Sequence, residues 1–241
     1  MRALGRPALP ALGVGGAVAG ALALRLLVAG EGRAATSLPA AAVFAAALLC
    51  VAAAARVRER RSTTTMQVDA HSIDALRRGN ASQTDWGALT TQADQRRGSG
   101  SQPASARRLD WRAVAAGTCA GLALVLLAAL LPGLPLHVWA RPEGAAIVLW
   151  TALVAAVGGA EELVFRGVLF DAIARSTGPI TAACVCAVAF ALIHVPLYGW
   201  QALPLDIGVG LCLGGLRMLT GGVAAPAAAH IVADIGAWTV V

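Results

Sequence analysis

The chain has 241 residues, of which 58% are hydrophobic and 13% are charged, and its mean hydropathy is +0.70. These values place it among multispanning membrane proteins, and the length suffices for about seven spans of roughly 20 residues each. The net charge is +6, but the paired arginines have no interleaved aromatic residues, so we expect no nucleic-acid partner. The composition predicts an all-α bundle of transmembrane helices in contact with membrane lipid.

Two apolar runs, at about residues 8–29 and 38–55, open the chain. The first follows Arg2 and Arg6 and could be taken for a signal peptide, but it is long and carries Arg25 near its end. A second apolar run follows soon after it. We therefore interpret residues 1–55 as two transmembrane helices, the first of which also acts as a signal anchor.

Residues 56–110 are polar and rich in arginine. Between residues 56 and 112 there are eleven arginines and six acids, a local excess of five positive charges. Positive loops stay in the cytoplasm, so we predict that this linker is cytoplasmic and sets the topology. Its composition predicts a disordered or weakly ordered loop, with room for a short helix over residues 72–78.

Residues 111–241 carry five further apolar runs, at about 111–131, 145–174, 180–195, 203–219 and 223–240. Breaks are predicted at residues 176–179 and 220–222, where Gly and Pro interrupt the apolar pattern. The run at 145–174 would be about 45 Å long as a helix, so we expect its cytoplasmic end to project from the bilayer or to bend.

Glu161, Glu162 and Arg166 form a charged cluster inside that run. A charged side chain at membrane depth costs roughly 2.5–17 kcal/mol, so an intramembrane acid is first read as a functional residue. The acid-first spacing of four residues predicts that Arg166 pairs with Glu162. Glu161 then points about 100° away around the helix, so we expect it not to pair with Arg166 and to be available for another function.

Two further pairs of residues that contain a histidine have the same four-residue spacing: Phe190 with His194, and His230 with Asp234. Glu161 and His194 are about equally far from the break at residues 176–179, so an antiparallel hairpin brings them to the same height. We therefore predict that Glu161, His194 and His230 converge inside the bilayer.

These motifs, Glu161-Glu162-xxx-Arg166, Phe190-xxx-His194 and His230-xxx-Asp234, resemble those of the CPBP intramembrane proteases. That group includes the type II CAAX prenyl endopeptidases and the bacterial Abi proteins. The resemblance covers residues 111–241 and implies an intramembrane endopeptidase that cleaves a membrane-associated or prenylated, CAAX-like peptide or protein. The Ala-rich and Arg-rich sequence favours a bacterial plasma membrane location, and nothing in the sequence indicates an oligomeric state.

The resemblance implies a role for each site residue. Glu161 would be the general base, His194 would position the water, and His230 would donate to the oxyanion. Arg166 would hold Glu162. Asp234 stands where the family more often has Asn; an ionised Asp cannot donate a hydrogen bond, so it would orient the His230 ring instead.

Zinc is an alternative to a metal-free glutamate mechanism, with Glu161, His194 and His230 as its ligands. No HExxH motif is present and the three side chains come from separate helices, so we favour no cofactor. A catalytically silent immunity or scaffold protein with the same fold is the alternative function. A proton-coupled transporter is a third, less favoured by two carboxylates with two histidines.

Overall fold

The computed structural model describes residues 8–29, 38–78, 110–131, 144 and 146–237. Throughout these residues the chain is helical, without any strand, as the composition predicted. The helices are α1 Ala8–Ala29, α2 Leu38–Arg78, α3 Trp111–Leu130, α4 Ala146–Glu162, α5 Phe170–Thr177, α6 Pro179–Tyr198, α7 Leu203–Thr220 and α8 Ala224–Ala237. A π-helical segment, Leu163–Leu169, joins α4 to α5, and a 3₁₀ turn, Trp200–Ala202, joins α6 to α7.

Five helical stretches are long and apolar enough to cross a membrane: Leu38–Arg58, Trp111–Leu130, Ala146–Thr177, Pro179–Tyr198 and Trp200–Thr220. Two shorter apolar helices, Gly13–Val28 and Ala224–Ala237, accompany them. Large apolar side chains such as Leu27, Leu126 and Ile180 are exposed on the outside of the bundle, the pattern expected of a surface that contacts lipid. The chain is an integral membrane protein with a multispanning helical fold.

The prediction of a disordered linker is wrong for its first part, since α2 continues as one helix to Arg78. Extending an existing helix avoids the cost of nucleation, and Arg, Glu, Ala, Met and Gln are good helix formers. Residues 79–109 lie outside the described residues. Two compact units make up the chain: one comprises residues 1–55 and 110–241, and the other residues 56–109.

Turns at glycines separate the later helices where breaks were predicted. Gly178 has φ 90° between α5 and α6, and Gly221 has φ 68° at the end of α7. A left-handed conformation costs a residue with a Cβ far more than glycine, so these positions stop the helices. Within the predicted run at 145–174, residues 146–174 are helical, but the geometry changes from α to π after Glu162.

Small residues bring two pairs of helices close together. A Cβ at Gly210 would lie 2.9 Å from Ala187 Cα, so α7 packs tightly on α6. On α3, a Cβ at Gly117 would overlap the Ala225 carbonyl, and one at Gly121 would lie 2.6 Å from the Ala229 carbonyl. The close packing of α3 on α8 was not predicted. Because Ala229 directly precedes His230, the contact at Gly121 fixes the position of α8 next to that histidine.

The N-terminal helices complete the core. Val18 and Ala21 of α1 and Phe44 and Leu48 of α2 are buried in one cluster with side chains of α4, the π segment, α5 and α6. Arg25 is buried within this packing, and its guanidinium lies 5.0 Å from the centroid of the Phe44 ring. Stacking on an aromatic face stabilises a desolvated cation.

Candidate active site

A buried ion pair lies where α4 meets the π segment. Arg166 Nη1 donates to Glu162 Oε1 at 2.5 Å, and both side chains are fully buried. Arg166 also donates from Nη2 to the Gly210 carbonyl at 3.1 Å and lies over the Phe190 ring, 4.8 Å from its centroid. The pairing expected from the spacing is therefore present, and Arg166 ties the π segment to both α6 and α7.

The π geometry of Leu163–Leu169 surrounds this arginine. Such turns are rare and are frequently found at functional sites. Arg217 Nε donates to the Arg166 carbonyl at 2.8 Å, and its Nη2 pairs with Asp171 at 2.7 Å. Helical periodicity did not predict the π turn, because apolar residues occupy both sides of it.

The imidazole of His230 lies between carboxylates. Its Nδ1 donates to Glu162 Oε1 at 3.0 Å, while its Nε2 lies 3.8 Å from Glu161 Oε2 and 3.5 Å from Asp234 Oδ2. A Cβ at Gly158 would lie 3.7 Å from the ring, an ordinary van der Waals distance, so α8 packs directly against α4 at this point. Because Nδ1 is engaged by Glu162, the Nε2 edge faces the other two acids.

His194 is held by its own helix. Its Nδ1 donates to the Phe190 carbonyl at 2.8 Å, and its ring packs 4.5 Å from the Phe190 ring and stacks on Tyr198 at 5.6 Å. The hydrogen bond assigns the Nδ1 proton, which leaves Nε2 for other contacts. The Phe190 ring also meets the His230 ring edge-on at 5.4 Å. Both imidazoles therefore pack against one phenyl ring.

The acidic residues of the site lie around His230. Glu161, Glu162 and His230 are buried and adjacent, and Asp234 reaches them with a partly exposed carboxylate. His194 is also buried, and its ring packs against the same phenyl ring as that of His230. Glu162, rather than Asp234, is the nearest acceptor for His230 and orients its ring.

The predicted zinc ligands do not form a ready metal site. Across the described ranges, no group of three or more His, Cys, Asp or Glu side chains could hold a metal ion. The Nδ1 atoms of His194 and His230 donate to the Phe190 carbonyl and to Glu162, so only their Nε2 atoms could bind a metal.

Asp206, in the first turn of α7, is a residue that the motifs did not reveal. Its Oδ2 is buried and accepts no hydrogen bond from the described part of the chain. Its charge interacts with His194, and also with Glu161, His230 and Asp234. The sequence could have indicated Asp206, because it is an acid inside an apolar span. The same reasoning indicated Glu161.

The fold and its buried Glu, Arg and His side chains define a class: a multispanning helical membrane protein with an ionisable centre inside the bundle. Residues 142–236 match a family described as type II CAAX prenyl endopeptidase Rce1-like, so this segment of the chain is similar to the CAAX proteases. All the site residues fall within the match. No curated protein and no solved structure matches the chain. The match supports a CAAX-type intramembrane protease at the family level, and a protease of that kind acts on a peptide or protein substrate.

Proposed function

We propose that the protein is an intramembrane endopeptidase that hydrolyses a peptide bond by metal-free glutamate catalysis. The observation that carries this proposal is the convergence of Glu161, Glu162 and His230 in a buried position. Within the described residues, Arg166 forms an ion pair with Glu162. The nearest nitrogen to Glu161 is His230 Nε2 at 3.8 Å, a distance that leaves its carboxylate able to bind a water molecule.

Glu161 would act as the general base. Its Oε2 lies 3.8 Å from His230 Nε2, which is longer than a hydrogen bond, so the carboxylate is not committed to the ring. Glu161 takes one proton from water as the water oxygen bonds to the peptide carbonyl carbon. It then passes that proton to the amide nitrogen as the carbon–nitrogen bond breaks, which releases an amine and a carboxylic acid.

His230 would stabilise the oxyanion. Its Nδ1 donates to Glu162, so donation from Nε2 requires the doubly protonated ring. The carboxylates of Glu161, Glu162 and Asp234 surround the ring and compensate its positive charge. Donors that are fixed before the reaction cost no reorganisation when the negative charge develops.

His194 would position the water. Its ring packs against Phe190 and Tyr198, and its Nδ1 donates one hydrogen bond, so the direction of Nε2 is defined. A neutral imidazole with a proton on Nδ1 accepts at Nε2, which suits a hydrogen bond from water. In this arrangement Glu161 removes one proton and His194 holds the other.

The substrate class follows from the depth of the site. Glu161, Glu162 and His194 lie in stretches long and apolar enough to cross a membrane, and His230 lies in a shorter apolar helix packed beside them. The scissile bond would therefore belong to a chain that enters from the bilayer or its surface. A prenylated, CAAX-like peptide meets that requirement because its lipid partitions into the membrane. We propose such a peptide, or a membrane-associated protein segment, as substrate.

Cleavage of defined peptides by the purified protein tests the proposal. Farnesylated CAAX peptides and their unmodified counterparts are incubated with the protein in liposomes, and the products are identified by mass spectrometry. Glu161→Gln should lower the rate at least about 100-fold, because it removes the general base. Glu59→Gln, outside the matched segment, is the control. Undiminished cleavage by folded Glu161→Gln protein would refute the mechanism, and peptide binding without cleavage by the unaltered protein would favour the silent scaffold.

A further inference from the structure

A continuous series of polar contacts runs from the end of α7 to His230. Asp171, whose side chain is 50% exposed, pairs with Arg217 at 2.7 Å, and Arg217 donates to the Arg166 carbonyl at 2.8 Å. Arg166 then pairs with Glu162, which accepts from His230 Nδ1 at 3.0 Å. The series connects a surface ion pair with the buried imidazole.

Arg217 holds the least regular part of this series. It lies in the last turn of α7, and its guanidinium also lies over the Phe170 ring at 5.1 Å. The carbonyl that it binds belongs to the π segment, where the regular spacing of backbone hydrogen bonds is broken. Buried backbone carbonyls need donors, so a side chain that supplies one stabilises the local geometry.

The position of the Arg166 backbone determines where its side chain acts. Arg166 reaches Glu162 through a fully buried contact and also donates to the Gly210 carbonyl. A shift of the π segment would move the guanidinium away from Glu162, and Glu162 is the residue that orients His230. Shifts of about 1 Å in a catalytic site can cost about 100-fold in rate.

We propose that Arg217 is a positioning residue of the site, which fixes the Glu162–His230 contact by holding the Arg166 carbonyl. This inference rests on the proposed hydrolytic function for its kinetic consequences. It assigns Arg217 a role beyond its positive charge, because the hydrogen bond is made by Nε and depends on the planar guanidinium.

Three variants of the full-length protein separate this role from the others that Arg217 could have. Arg217→Met removes the donor, Arg217→Lys keeps a charge and one donor group, and Asp171→Asn removes only the exposed ion pair. We expect kcat to fall about 10- to 100-fold in Arg217→Met with KM within about twofold of the unaltered protein. The kcat of Arg217→Lys should lie between those of Arg217→Met and the unaltered protein. The kcat of Asp171→Asn should stay within about twofold of the unaltered value.

A second measurement needs no activity. In protein labelled with ¹⁵N-histidine, the Nδ1 resonance of His230 reports its hydrogen bond to Glu162. This resonance should move in Arg217→Met and stay in place in Asp171→Asn. If the unaltered protein cleaves no peptide, the proposed function fails, and the resonance still decides the role of Arg217.

Several results would overturn the proposal. An unchanged His230 resonance in folded Arg217→Met protein would show that the contact does not depend on Arg217. A rise in KM with kcat unchanged would assign Arg217 to substrate binding instead. Equal losses in Arg217→Met and Asp171→Asn would assign the effect to the surface ion pair.

Discussion

Replacing Arg166 with methionine tests the centre of the site most directly. Methionine keeps an unbranched apolar side chain but leaves Glu162 as a buried carboxylate without its ion-pair partner. Removing one partner of a buried ion pair typically costs about 3–5 kcal/mol, because the remaining charge stays desolvated. The hydrogen bond to Gly210 and the stacking on Phe190 are lost as well, so we expect the loss of stability to lie in the upper part of that range.

Thermal unfolding converts this energy into a measurable shift. For a chain of this size, 1 kcal/mol corresponds to about 2–4 °C in Tm, so Arg166→Met should lower Tm by about 10 °C or more. Cys186 is a suitable reporter because it is buried, whereas Cys50, Cys119, Cys184 and Cys212 are exposed. With the four exposed cysteines replaced by alanine, a thiol-reactive dye would label Cys186 only as the bundle opens.

The double variant Glu162→Gln with Arg166→Met is the control. Removing both charges also removes the unpaired carboxylate, so the double variant should be more stable than Arg166→Met alone. A Tm for Arg166→Met within about 2 °C of the parent would refute the reasoning. It would mean that Glu162 either takes up a proton at little cost or finds another cation.

Four further outcomes are expected. Gly121→Val should displace α8 and lower both Tm and peptide cleavage, whereas Gly215→Val, with open space around its Cβ position, should alter neither much. Asp206→Asn should slow cleavage at least about tenfold in a steady-state assay, because it removes a charge that acts on His194. Arg25→Met should lower the free energy of unfolding by about 2 kcal/mol, and with it the Tm in the dye assay, because it removes the stacked cation. Exhaustive chelation should leave the cleavage rate of the purified protein unchanged, and metal-restorable loss would return zinc to the mechanism.

The parts of the structure that follow from local rules could be predicted from the sequence. The Glu162–Arg166 pair depends on spacing within one helix, and the helix ends at Gly178 and Gly221 depend on backbone conformation. The apolar runs identified the spans because the bilayer sets their length and composition. Even the meeting of Glu161 with His230 was accessible, since intramembrane charges must turn toward one another.

What could not be predicted depends on packing between helices or on a single extra residue in a turn. The π segment Leu163–Leu169 has no compositional signature, yet it determines where Arg166 points. The contact of Gly121 with the Ala229 carbonyl joins residues 108 positions apart, and only the folded bundle reveals it. The continuation of α2 to Arg78 shows the opposite case, in which composition suggested disorder but the preceding helix supplied the nucleus.

The two adjacent glutamates have different surroundings, and that difference makes the arrangement suitable for hydrolysis. Their directions differ by about 100° on a helix, yet both reach the same imidazole because each meets a different ring nitrogen. Glu162 is fixed by Arg166 on one side and by Nδ1 of His230 on the other. Glu161 approaches Nε2 without forming a hydrogen bond. A single carboxylate could not both hold the histidine and accept a proton from water, so in the proposed reaction the pair divides those tasks.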